Sequence, residues 1–600
     1  MTETAEITVW APHANSLQIA LGEAADPTMA DMAACGNGWW RWEGDRTAYG
    51  DHLDYAFVID GDLPALPDPR SAWQPSGVHG PSRFVDLSQF AWSDDAWRGT
   101  RSGAGILGAV VYEMHIGTFT AEGTLDAAIG RLDHLVDLGA DVVQVLPVAA
   151  FPGRWGWGYD GVALYAVHDA YGGPAALQRF VDAAHHRGLA VCLDVVYNHL
   201  GPSGNYLSRF GPYFTDRYHT PWGEAVNLDG PQSDSVRAFI IDNALRWFRD
   251  FHIDALRLDA THELRDDSPR HLLAELSDRV NALAVELGRP LDLIAESDLN
   301  DTRVVAPTDA GGQGITAQWD DDIHHALHVT LTGESQGYYG DFGGGAPGHD
   351  ERGPLAVLAK VFTRGFLHDG TTSSFRGTPW GAPVDRQGFD ARKLLAYLQT
   401  HDQVGNRALG ERITALLPAD RQAMGAALYL LGPFTPMLFA GEEWASSSPW
   451  LFFTSFEEEA LARSVRDGRR AEFAGHGWDA ESIPDPQDSS TRDASVLRWA
   501  ELGEPAHAEM LDWYRALIGL RRKRFDSPAH LADVTVSFDE EAGWFCMSFS
   551  GLTVALNLGG AEATVPLAGT AYELILDRGA HWDGGELRLR PDGVAVLAQG

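Results

Sequence analysis

Residues 255–263 read ALRLDATHE, a short apolar run that leads into an acidic residue, Asp259. One acid at the end of a strand often caps a helix or lies in solvent, so a single case carries little weight. Here the pattern recurs, and four acids on apolar strands fit that explanation poorly. The other three runs are AVCLDVVYN (190–198, with Asp194), LDLIAES (291–297, with Glu296) and LLAYLQTHD (394–402, with Asp402).

The four acidic runs belong to a longer series of eight apolar runs. Amphipathic helical stretches, such as LDAAIGRLDHLVDLG at 125–139, lie between them. Alternating strands and helices predict an α/β fold, here a (β/α)8 TIM barrel, with a doubly wound open sheet as the alternative. In such a barrel the carboxyl ends of the strands face one active-site cleft. The remaining four runs are VVYEMHIGTF (110–119), VVQVLPV (142–148), ITAQWD (315–320) and FTPMLFAGEE (434–443).

Strand patterns flank the barrel on both sides. Residues 1–99 hold short aromatic and alternating runs separated by Gly, Asp, Asn and Pro, which predict an amino-terminal immunoglobulin-like β-sandwich. Residues 100–524 form the predicted catalytic barrel. Within it, residues 199–233 are rich in aromatic residues, Gly and Pro and are too long for an ordinary βα loop, so they predict a small insertion. Residues 525–600 return to strands and predict a second β-sandwich.

The charge of the chain narrows the choice of partners. The 600 residues contain 45 Lys and Arg against 84 Asp and Glu, a formal net charge of −39. Such a charge repels phosphate backbones and anionic lipid, so we expect a neutral ligand, with no nucleic acid and no membrane surface as partner. The amino terminus, MTETAEITVWAP, lacks a signal-peptide pattern, and no apolar run has membrane-spanning length. These features predict a cytoplasmic protein.

Two features of the acidic strands favour glycoside cleavage. Arg257 lies two residues before Asp259, so both side chains point to the same side of the strand and the cation keeps the carboxylate ionised. An ionised carboxylate is a nucleophile, and Glu296, kept protonated by the negative charge around it, is the natural general acid. Asp402 is a third carboxylate that can hold sugar hydroxyls.

Four strings of this chain resemble the signature regions of the α-amylase superfamily of glycoside hydrolases, in the same order and on the expected strands. They are LDVVYNH (193–199), LRLDATHE (256–263), IAESD (294–298) and THDQVGN (400–406). The resemblance implies a retaining hydrolase with Asp259 as nucleophile, Glu296 as general acid/base and Asp402 as transition-state stabiliser. It also implies a set of substrate-binding residues around these three, namely Tyr159, Asp160, Asp194, His199, Arg257, His401 and Gln403.

Longer stretches are similar to the maltooligosyltrehalose trehalohydrolase family. That family hydrolyses the α-1,4 bond between a maltooligosaccharide and a terminal trehalose unit. The resemblance therefore implies maltooligosyl trehalose as the substrate, a place in trehalose biosynthesis after maltooligosyl trehalose synthase, and an amino-terminal sandwich like those of branching and debranching enzymes. The stretches are DPRSAWQPSGVHGPS (68–82), QWDDDIHHALH (318–328), GYYGDF (337–342), MLFAGEEWASSSPWLFFT (437–454) and IPDPQD (483–488).

One departure from many amylases bears on specificity. Where those enzymes carry Lys-His after the nucleophile, this chain has His262 and Glu263, on the side of the leaving group. A carboxylate there can accept hydrogen bonds from sugar hydroxyls, so we hypothesise that Glu263 and Trp222 help to recognise the trehalose unit, with His262 beside them. The alternative is that Glu263 caps the next helix.

The sequence indicates neither a metal nor a cofactor. His324 and His328 are four residues apart but lack the HExxH pattern of zinc enzymes. In many amylases the asparagine of the first signature region helps to bind calcium. Asn198 holds that position here, but the sequence does not identify the other oxygen ligands that a calcium site needs. The three cysteines are far apart and without metal-ligand spacing. His185 and His186 fall in an amphipathic helix and are interpreted as surface or helix-end residues.

The sequence leaves two alternative functions open. A glycogen branching or debranching enzyme has the same barrel and differs in what occupies the leaving-group side and in what attacks the glycosyl intermediate. A non-catalytic glycan-binding protein on the same scaffold is disfavoured, because all three catalytic carboxylates are present.

Overall fold

Short strands separated by turns form two antiparallel sheets at the amino-terminal end of the computed structural model, which describes residues 6–49, 52–101, 105–475, 479–525, 527–567 and 571–599. The strands are β1 (Thr8–Trp10), β2 (Leu17–Leu21), β3 (Thr28–Asp31), β4 (Ala33–Gly36), β5 (Trp39–Arg41), β6 (Asp54–Ile59), β7 (Asp62–Leu66) and β8 (Ser82–Arg83). One sheet has the order β1-β5-β4, and the other has the order β3-β2-β6-β7 with β8 paired to β6. Apolar side chains of both sheets, among them Trp10, Ile19 and Phe57, are buried in one core, as the predicted β-sandwich requires.

The eight predicted strands close into one parallel barrel. In chain order the strands of this region are β9 (Val111–Met114), β10 (Val142–Val145), β11 (Ala149–Ala150), β12 (Ala163–Val167), β13 (Ala190–Val195), β14 (Phe214–Thr220), β15 (Gly223–Val226), β16 (Ala255–Leu258), β17 (Asp292–Ala295), β18 (Ala317–Trp319), β19 (Thr372–Ser373), β20 (Thr378–Pro379), β21 (Leu394–Ala396) and β22 (Thr435–Phe439). The barrel order is β9-β10-β13-β16-β17-β18-β21-β22, closed by β22 against β9. The TIM-barrel prediction is confirmed, and the open sheet is excluded.

Alternation along the strands divides the barrel into an inside and an outside. Cys192, Ala255 and Ile294 fill the interior, while their neighbours along the chain pack outward in the main core with the helices. Each strand is therefore buried on both faces, which explains why the sequence shows continuous apolar runs rather than apolar-polar alternation.

Helices follow most barrel strands. They are α1 (Ile116–Phe119), α2 (Leu125–Ile129), α3 (Leu132–Leu138), α4 (Gly173–His186), α5 (Leu207–Phe210), α6 (Ser233–Asp250), α7 (Leu272–Leu287), α8 (Asp321–Thr332), α9 (Pro354–Arg364), α10 (His401–Gly405), α11 (Ile413–Leu416), α12 (Ala419–Leu430), α13 (Glu459–Gly475), α14 (Ser489–Ala494) and α15 (Pro505–Arg524). The connection from β17 to β18 departs from the expected alternation, because its one described helical turn is a short 3-10 turn, Thr308–Ala310. Among the described helices, none has the length and apolar character that a membrane crossing needs.

The segment between β13 and α6 holds α5 and the antiparallel hairpin β14–β15. It lies where the sequence predicts an insertion. The hairpin turn carries Trp222, whose position bears on the active site.

The carboxyl-terminal strands form a single antiparallel sheet of six strands. They are β23 (Thr535–Asp539), β24 (Trp544–Phe549), β25 (Leu552–Asn557), β26 (Ala563–Val565), β27 (Tyr572–Trp582) and β28 (Leu587–Gln599). The long β28 pairs with β26 at its start and with β25 at its end. Trp544 and Ala563 lie on strands that are not paired, yet they share one buried cluster, so the sheet curves over on itself. The two layers of the predicted carboxyl-terminal sandwich are thus parts of one sheet.

A buried ion network ties the segment before the barrel to the amino-terminal end of the strands. His185, at the end of α4, lies 2.7 Å from Asp94 and 2.9 Å from Asp254, and it stacks on Trp97 at 4.3 Å between ring centroids. Burial alone would lower the pKa of His185, but the two carboxylates outweigh it and raise the pKa. The interpretation of His185 as a surface or helix-end residue was wrong on burial, because its partners come from distant parts of the chain. His186 is exposed, as expected.

The variant His185→Gln should lower the free energy of unfolding by about 2 kcal/mol, because it removes the charged partner that two buried carboxylates share. The loss is limited because Asp254 keeps Arg289 at 2.8 Å and Asp94 keeps His252 at 2.9 Å. The raised pKa means that the contribution of His185 is full below the unfolded-state pKa of about 6.5 and is lost as the pH rises through the folded-state pKa. The fall in Tm should therefore be larger at about pH 6 than at about pH 9. Scanning calorimetry measures it, with His186→Gln as the control from the same helix. An equal loss of Tm in both variants would contradict the network.

Candidate active site

Arg257 binds three acidic side chains at the carboxyl end of the barrel. It lies in β16 and its side chain is 1% exposed. Its Nη1 donates to Asp194 Oδ2 at 2.9 Å and to Asp259 Oδ1 at 2.8 Å, and its Nη2 lies 2.8 Å from Glu296 Oε2. Asp194 faces Arg257 across the parallel pair β13–β16, and Glu296 directly follows β17. Adjacent strand ends thus bring four predicted site residues into one charge cluster.

The surroundings of Asp259 favour its ionised form. Burial by itself would raise the pKa of this carboxyl, but Arg257 and the Asn198 side chain lower it below the usual value. The Asn198 amide donates to Asp259 Oδ2 at 2.8 Å and to the Asp259 carbonyl oxygen at 2.7 Å. The side chain of Asn198 therefore stabilises the ionised carboxylate of Asp259. Asp259 is equipped to act as a nucleophile.

Glu296 has the opposite electrostatic setting. Burial, together with the negative charges of Asp259 and Asp402, raises the pKa of Glu296 to about 8 against the attraction of Arg257. The backbone N–H of Ala260 donates to Glu296 Oε2 at 2.7 Å. Ala260 has φ of 37°, in the left-handed region that alanine rarely adopts, and this conformation places its N–H toward the carboxyl group. Near neutral pH, Glu296 holds a proton that it can donate.

An aromatic ring and a histidine ring lie beside Asp194 of the charge cluster. The Tyr159 hydroxyl donates to Asp194 Oδ2 at 2.7 Å, and its ring stacks on His401 at 5.2 Å between centroids. His401 follows β21 and donates from Nδ1 to Glu113 at 2.8 Å, while its backbone N–H donates to the same carboxylate at 3.0 Å. These bonds fix the imidazole beside the ring of Tyr159.

Asp402 and Gln403 lie in the first turn of the short helix α10. Gln403 completes a capping box, because its Oε1 accepts from the Thr400 N–H at 2.9 Å. The Asn406 amide donates to Asp402 Oδ1 at 3.0 Å. Both residues open onto a cavity of about 180 Å3 that is also lined by Asp298, Tyr338, Phe375 and Arg376.

The hairpin β14–β15 brings a tryptophan to the rim of the site. Trp222, 50% exposed, stacks on His199 with ring centroids 4.1 Å apart and an interplanar angle of 3°. The Nε2 of His199 lies 2.9 Å from the Tyr159 carbonyl oxygen. An exposed indole beside buried polar groups suits stacking on the apolar face of a sugar.

Proteins that are similar to this chain in sequence have names that agree with the chemistry of the site. A malto-oligosyltrehalose trehalohydrolase of Arthrobacter ramosus is 52% identical over 561 residues, 93% of each chain. Another, of Mycobacterium tuberculosis, is 48% identical over 95% of each chain. The chain belongs to the malto-oligosyltrehalose trehalohydrolase family. It is therefore a glycoside hydrolase of the α-amylase family, and the resemblance read from its motifs is confirmed.

Family models and a solved structure fit this assignment to the trehalohydrolase family. The model "Alpha amylase, catalytic domain" matches residues 81–219, and "Domain of unknown function (DUF3459)" matches residues 529–596. The crystal structure of a "Putative alpha Amylase" from Salmonella typhimurium superposes with a TM-score of 0.87 at 36% identity, and the match covers 100% of this chain and 99% of the other.

Three further predicted residues lie around the charge cluster of this trehalohydrolase family member. Burial raises the pKa of the Asp160 carboxyl to about 6. His262 lies in a 3-10 turn with its Nδ1 3.7 Å from Asp298 Oδ1. Glu263, in the same turn, accepts from the Arg265 guanidinium at 2.9 Å. The next helix, α7, is capped by His271, so the helix-capping alternative for Glu263 was wrong.

Glu113 is a site residue that sequence reasoning missed. It lies in β9 with no exposed surface, and both of its oxygens accept hydrogen bonds from His401. The signal was present as a lone acid inside the apolar run VVYEMHIGTF. Its partner is 288 residues away along the chain, so local spacing does not reveal the pair.

Replacing Glu113 by Gln should lower the pKa of His401. Burial lowers this pKa, and the carboxylates of Glu113 and Asp402 together outweigh it, so a neutral amide at position 113 removes the larger of the two opposing charges. The titration is followed by NMR of the histidine rings, with His401→Gln assigning the signal. Gln144→Leu is the matched control, because Gln144 contacts Glu113 at 3.4 Å but carries no charge. An unchanged His401 titration in Glu113→Gln would contradict the assignment.

Proposed function

We propose that this chain is a retaining glycoside hydrolase that cleaves the α-1,4 bond next to the terminal trehalose of maltooligosyl trehalose and releases trehalose. One observation supports the reaction type. Asp259 is held ionised and Glu296 is held protonated, although both carboxyl groups contact the guanidinium of Arg257. The substrate class is supported by the relatives named malto-oligosyltrehalose trehalohydrolase, which match nearly the full chain.

The reaction uses the two carboxyl groups in turn. Asp259 attacks the anomeric carbon while Glu296 protonates the glycosidic oxygen, so that the C–O bond breaks and a glycosyl ester of Asp259 forms. Glu296, now ionised, then removes a proton from water, which hydrolyses the ester with net retention. Arg257 offsets negative charge throughout, and Asp402 accepts hydrogen bonds from sugar hydroxyls as the oxocarbenium-like transition state develops.

The sugar bound at the point of cleavage is held by the residues around this pair. Tyr159 presents its ring to the apolar face of the sugar, and His401, whose Nδ1 is bound to Glu113, presents its Nε2 to the hydroxyls. His199 acts through Tyr159, because its Nε2 bonds to the Tyr159 carbonyl oxygen and its Nδ1 faces Asn198. Asp194 is already bound by Arg257 and Tyr159, so it mainly orients them. Asp160 and Gln403 complete the predicted substrate-binding set, with Gln403 also fixing the turn that presents Asp402.

The leaving-group side recognises trehalose. We assign this role to Glu263, His262 and Trp222, which the sequence identifies and which the structure gives charged or stacked partners. A site that hydrogen-bonds sugar hydroxyls discriminates strongly against a ligand lacking them, because its buried polar groups are then left unpaired.

The place of the protein in the cell follows from this substrate. Maltooligosyl trehalose is uncharged, so the net charge of −39 does not oppose its binding. We place the chain in the cytoplasm, after the synthase that forms the trehalose end. Its proposed domains are residues 1–99, 100–524 with the insertion 199–233, and 525–600.

Product analysis with maltopentaose and maltotriosyl trehalose at equal concentration tests the substrate. We expect free trehalose from the second substrate and much slower cleavage of the first, because only the second fills the leaving-group side with trehalose. Glu296→Gln should lose hydrolysis of both while it keeps substrate affinity. Equal cleavage of both substrates would indicate an amylase, and longer or branched products would indicate a branching enzyme.

The pH dependence of kcat/KM tests the assignment of the acid. Activity should fall on the alkaline side near pH 8, where Glu296 loses its proton, and on the acid side below the usual aspartate range, where Asp259 gains one. Asp402→Asn removes a negative charge that raises the pKa of Glu296, so the alkaline limb should move to lower pH even though kcat also falls. Asp160→Asn, whose charge is not among the main ones acting on Glu296, is the control. An alkaline limb that stays in place in Asp402→Asn refutes the assignment.

A further inference from the structure

A second cluster of chelating side chains lies outside the catalytic cluster. Asp341, His349 and His368 are buried, with 5%, 4% and 2% exposure. One ligand atom of each lies within 4.8 Å of the corresponding atoms of the other two. Asp341 and His349 precede α9 and His368 follows it, so the cluster joins the two loops at the ends of this helix.

The hydrogen bonds of His349 leave one nitrogen with a free lone pair. Its Nε2 lies 2.9 Å from the Thr372 carbonyl oxygen and therefore donates its proton there. In the neutral ring, Nδ1 is then an acceptor, and it is buried without a hydrogen-bond partner among the described residues. It faces Glu351 Oε2 at 3.7 Å, which also lacks a hydrogen-bond partner in that part of the chain. Two acceptors that face each other are stabilised by a cation between or beside them.

His368 also lies close to a carboxylate, that of Asp341, without a short hydrogen bond to it. His368 Nε2 lies 3.5 Å from Asp341 Oδ2, too far for a strong hydrogen bond, and His368 Nδ1 is buried without a described hydrogen-bond partner. The Asp341 carboxylate is fixed by Ser374, whose N–H donates at 2.8 Å and whose hydroxyl donates at 2.5 Å. A carboxylate oriented by other hydrogen bonds is typical of a metal ligand.

We propose that Asp341, His349 and His368 bind a divalent first-row transition-metal ion of the Zn2+ type. Two imidazole nitrogens and one carboxylate oxygen are a donor set that such ions prefer, whereas Ca2+ and Mg2+ require mainly oxygen ligands. Donor atoms around a tetrahedral zinc ion are about 3.4 Å apart. The three donor atoms, which lie within 4.8 Å of one another, therefore need to approach by up to about 1.4 Å, with water as the fourth ligand.

The charges around the cluster permit a cation. The charge of Lys360 acts on His368, but its Nζ is already paired with Asp369 at 3.1 Å and lies 3.7 Å from Glu351. Arg376, also nearby, pairs with Asp298 at 2.9 Å. Both cations are thus offset by carboxylates other than Asp341, which keeps its negative charge for the ion.

The sequence did not indicate this site. It drew attention to His324 and His328, but both nitrogens of His324 are occupied, by the Leu398 carbonyl oxygen and the Tyr339 hydroxyl, and His328 bonds to Glu334. The proposed ligands are separated by 7 and 18 residues, without the short spacing of familiar zinc motifs.

The ion would have a structural role next to the cavity that Asp402 and Gln403 line. His368 lines the same cavity as Asp402, and Phe375 and Arg376 of the following loop line it too. An ion on His368 and Asp341 therefore holds the loops that form this wall, without touching the reacting atoms.

Metal retention by the full chain without a histidine tag tests the proposal. After treatment with a chelator and reloading with Zn2+, we expect one ion per chain after gel filtration and a higher Tm. Co2+ in its place should give the visible absorption of a tetrahedral site, and Ca2+ should be neither retained nor stabilising. The variants His349→Gln and His368→Gln should lose the retained ion, whereas His219→Gln, at an exposed position, should keep it.

The wild-type chain alone decides the matter if a variant fails to fold. A chain that retains no zinc after gel filtration and gives no tetrahedral Co2+ spectrum overturns the proposal. Retention that persists in folded His349→Gln and His368→Gln overturns it as well, because the ion is then held elsewhere.

Discussion

The buried guanidinium of Arg257 is the interaction on which the active site depends. Removing a cation and several carboxylates from water is costly, and the cost is offset only where their geometry is close and complete. Arg257 meets this condition through contacts of 2.8 to 2.9 Å with Asp194, Asp259 and Glu296. One cation against three anions leaves an excess of negative charge, which a single proton reduces. That proton resides on Glu296, which gives the site its acid and leaves Asp259 as its nucleophile.

The barrel makes this charge cluster possible. Parallel strands in register place Asp194 beside Arg257, and the two-residue period of a strand places Asp259 on the same side as Arg257. Glu296 directly follows the neighbouring strand β17, and the left-handed conformation of Ala260 directs its N–H toward the Glu296 carboxyl group. The site therefore uses strand ends for its charges, and the hairpin β14–β15 adds an exposed indole at the rim.

The sequence predicted whatever depends on local pattern. Eight apolar runs identified the eight barrel strands, and the acids at three of their ends identified the charge cluster, with Asp402 close enough for its charge to act on Glu296. Pairings between distant segments were not accessible, because nothing in the local spacing encodes them. Glu113 with His401, and His185 with Asp94 and Asp254, are of this kind. The carboxyl-terminal sandwich was predicted from strand patterns, but its formation from one curved sheet depends on the length of β28.

The wall of the cavity that Asp402 lines is connected to the end of β17 by a short series of contacts. Asp298 follows Glu296 by two residues, its carboxylate accepts from Arg376 at 2.9 Å, and its carbonyl oxygen accepts from the Trp380 indole at 2.7 Å. The loop that carries Arg376 also supplies Ser374, which orients Asp341. An ion bound at Asp341 would thus stabilise the loop that Asp298 holds against the end of β17. Its effect would reach substrate binding through loop position, while the charge balance at Arg257 would stay unchanged.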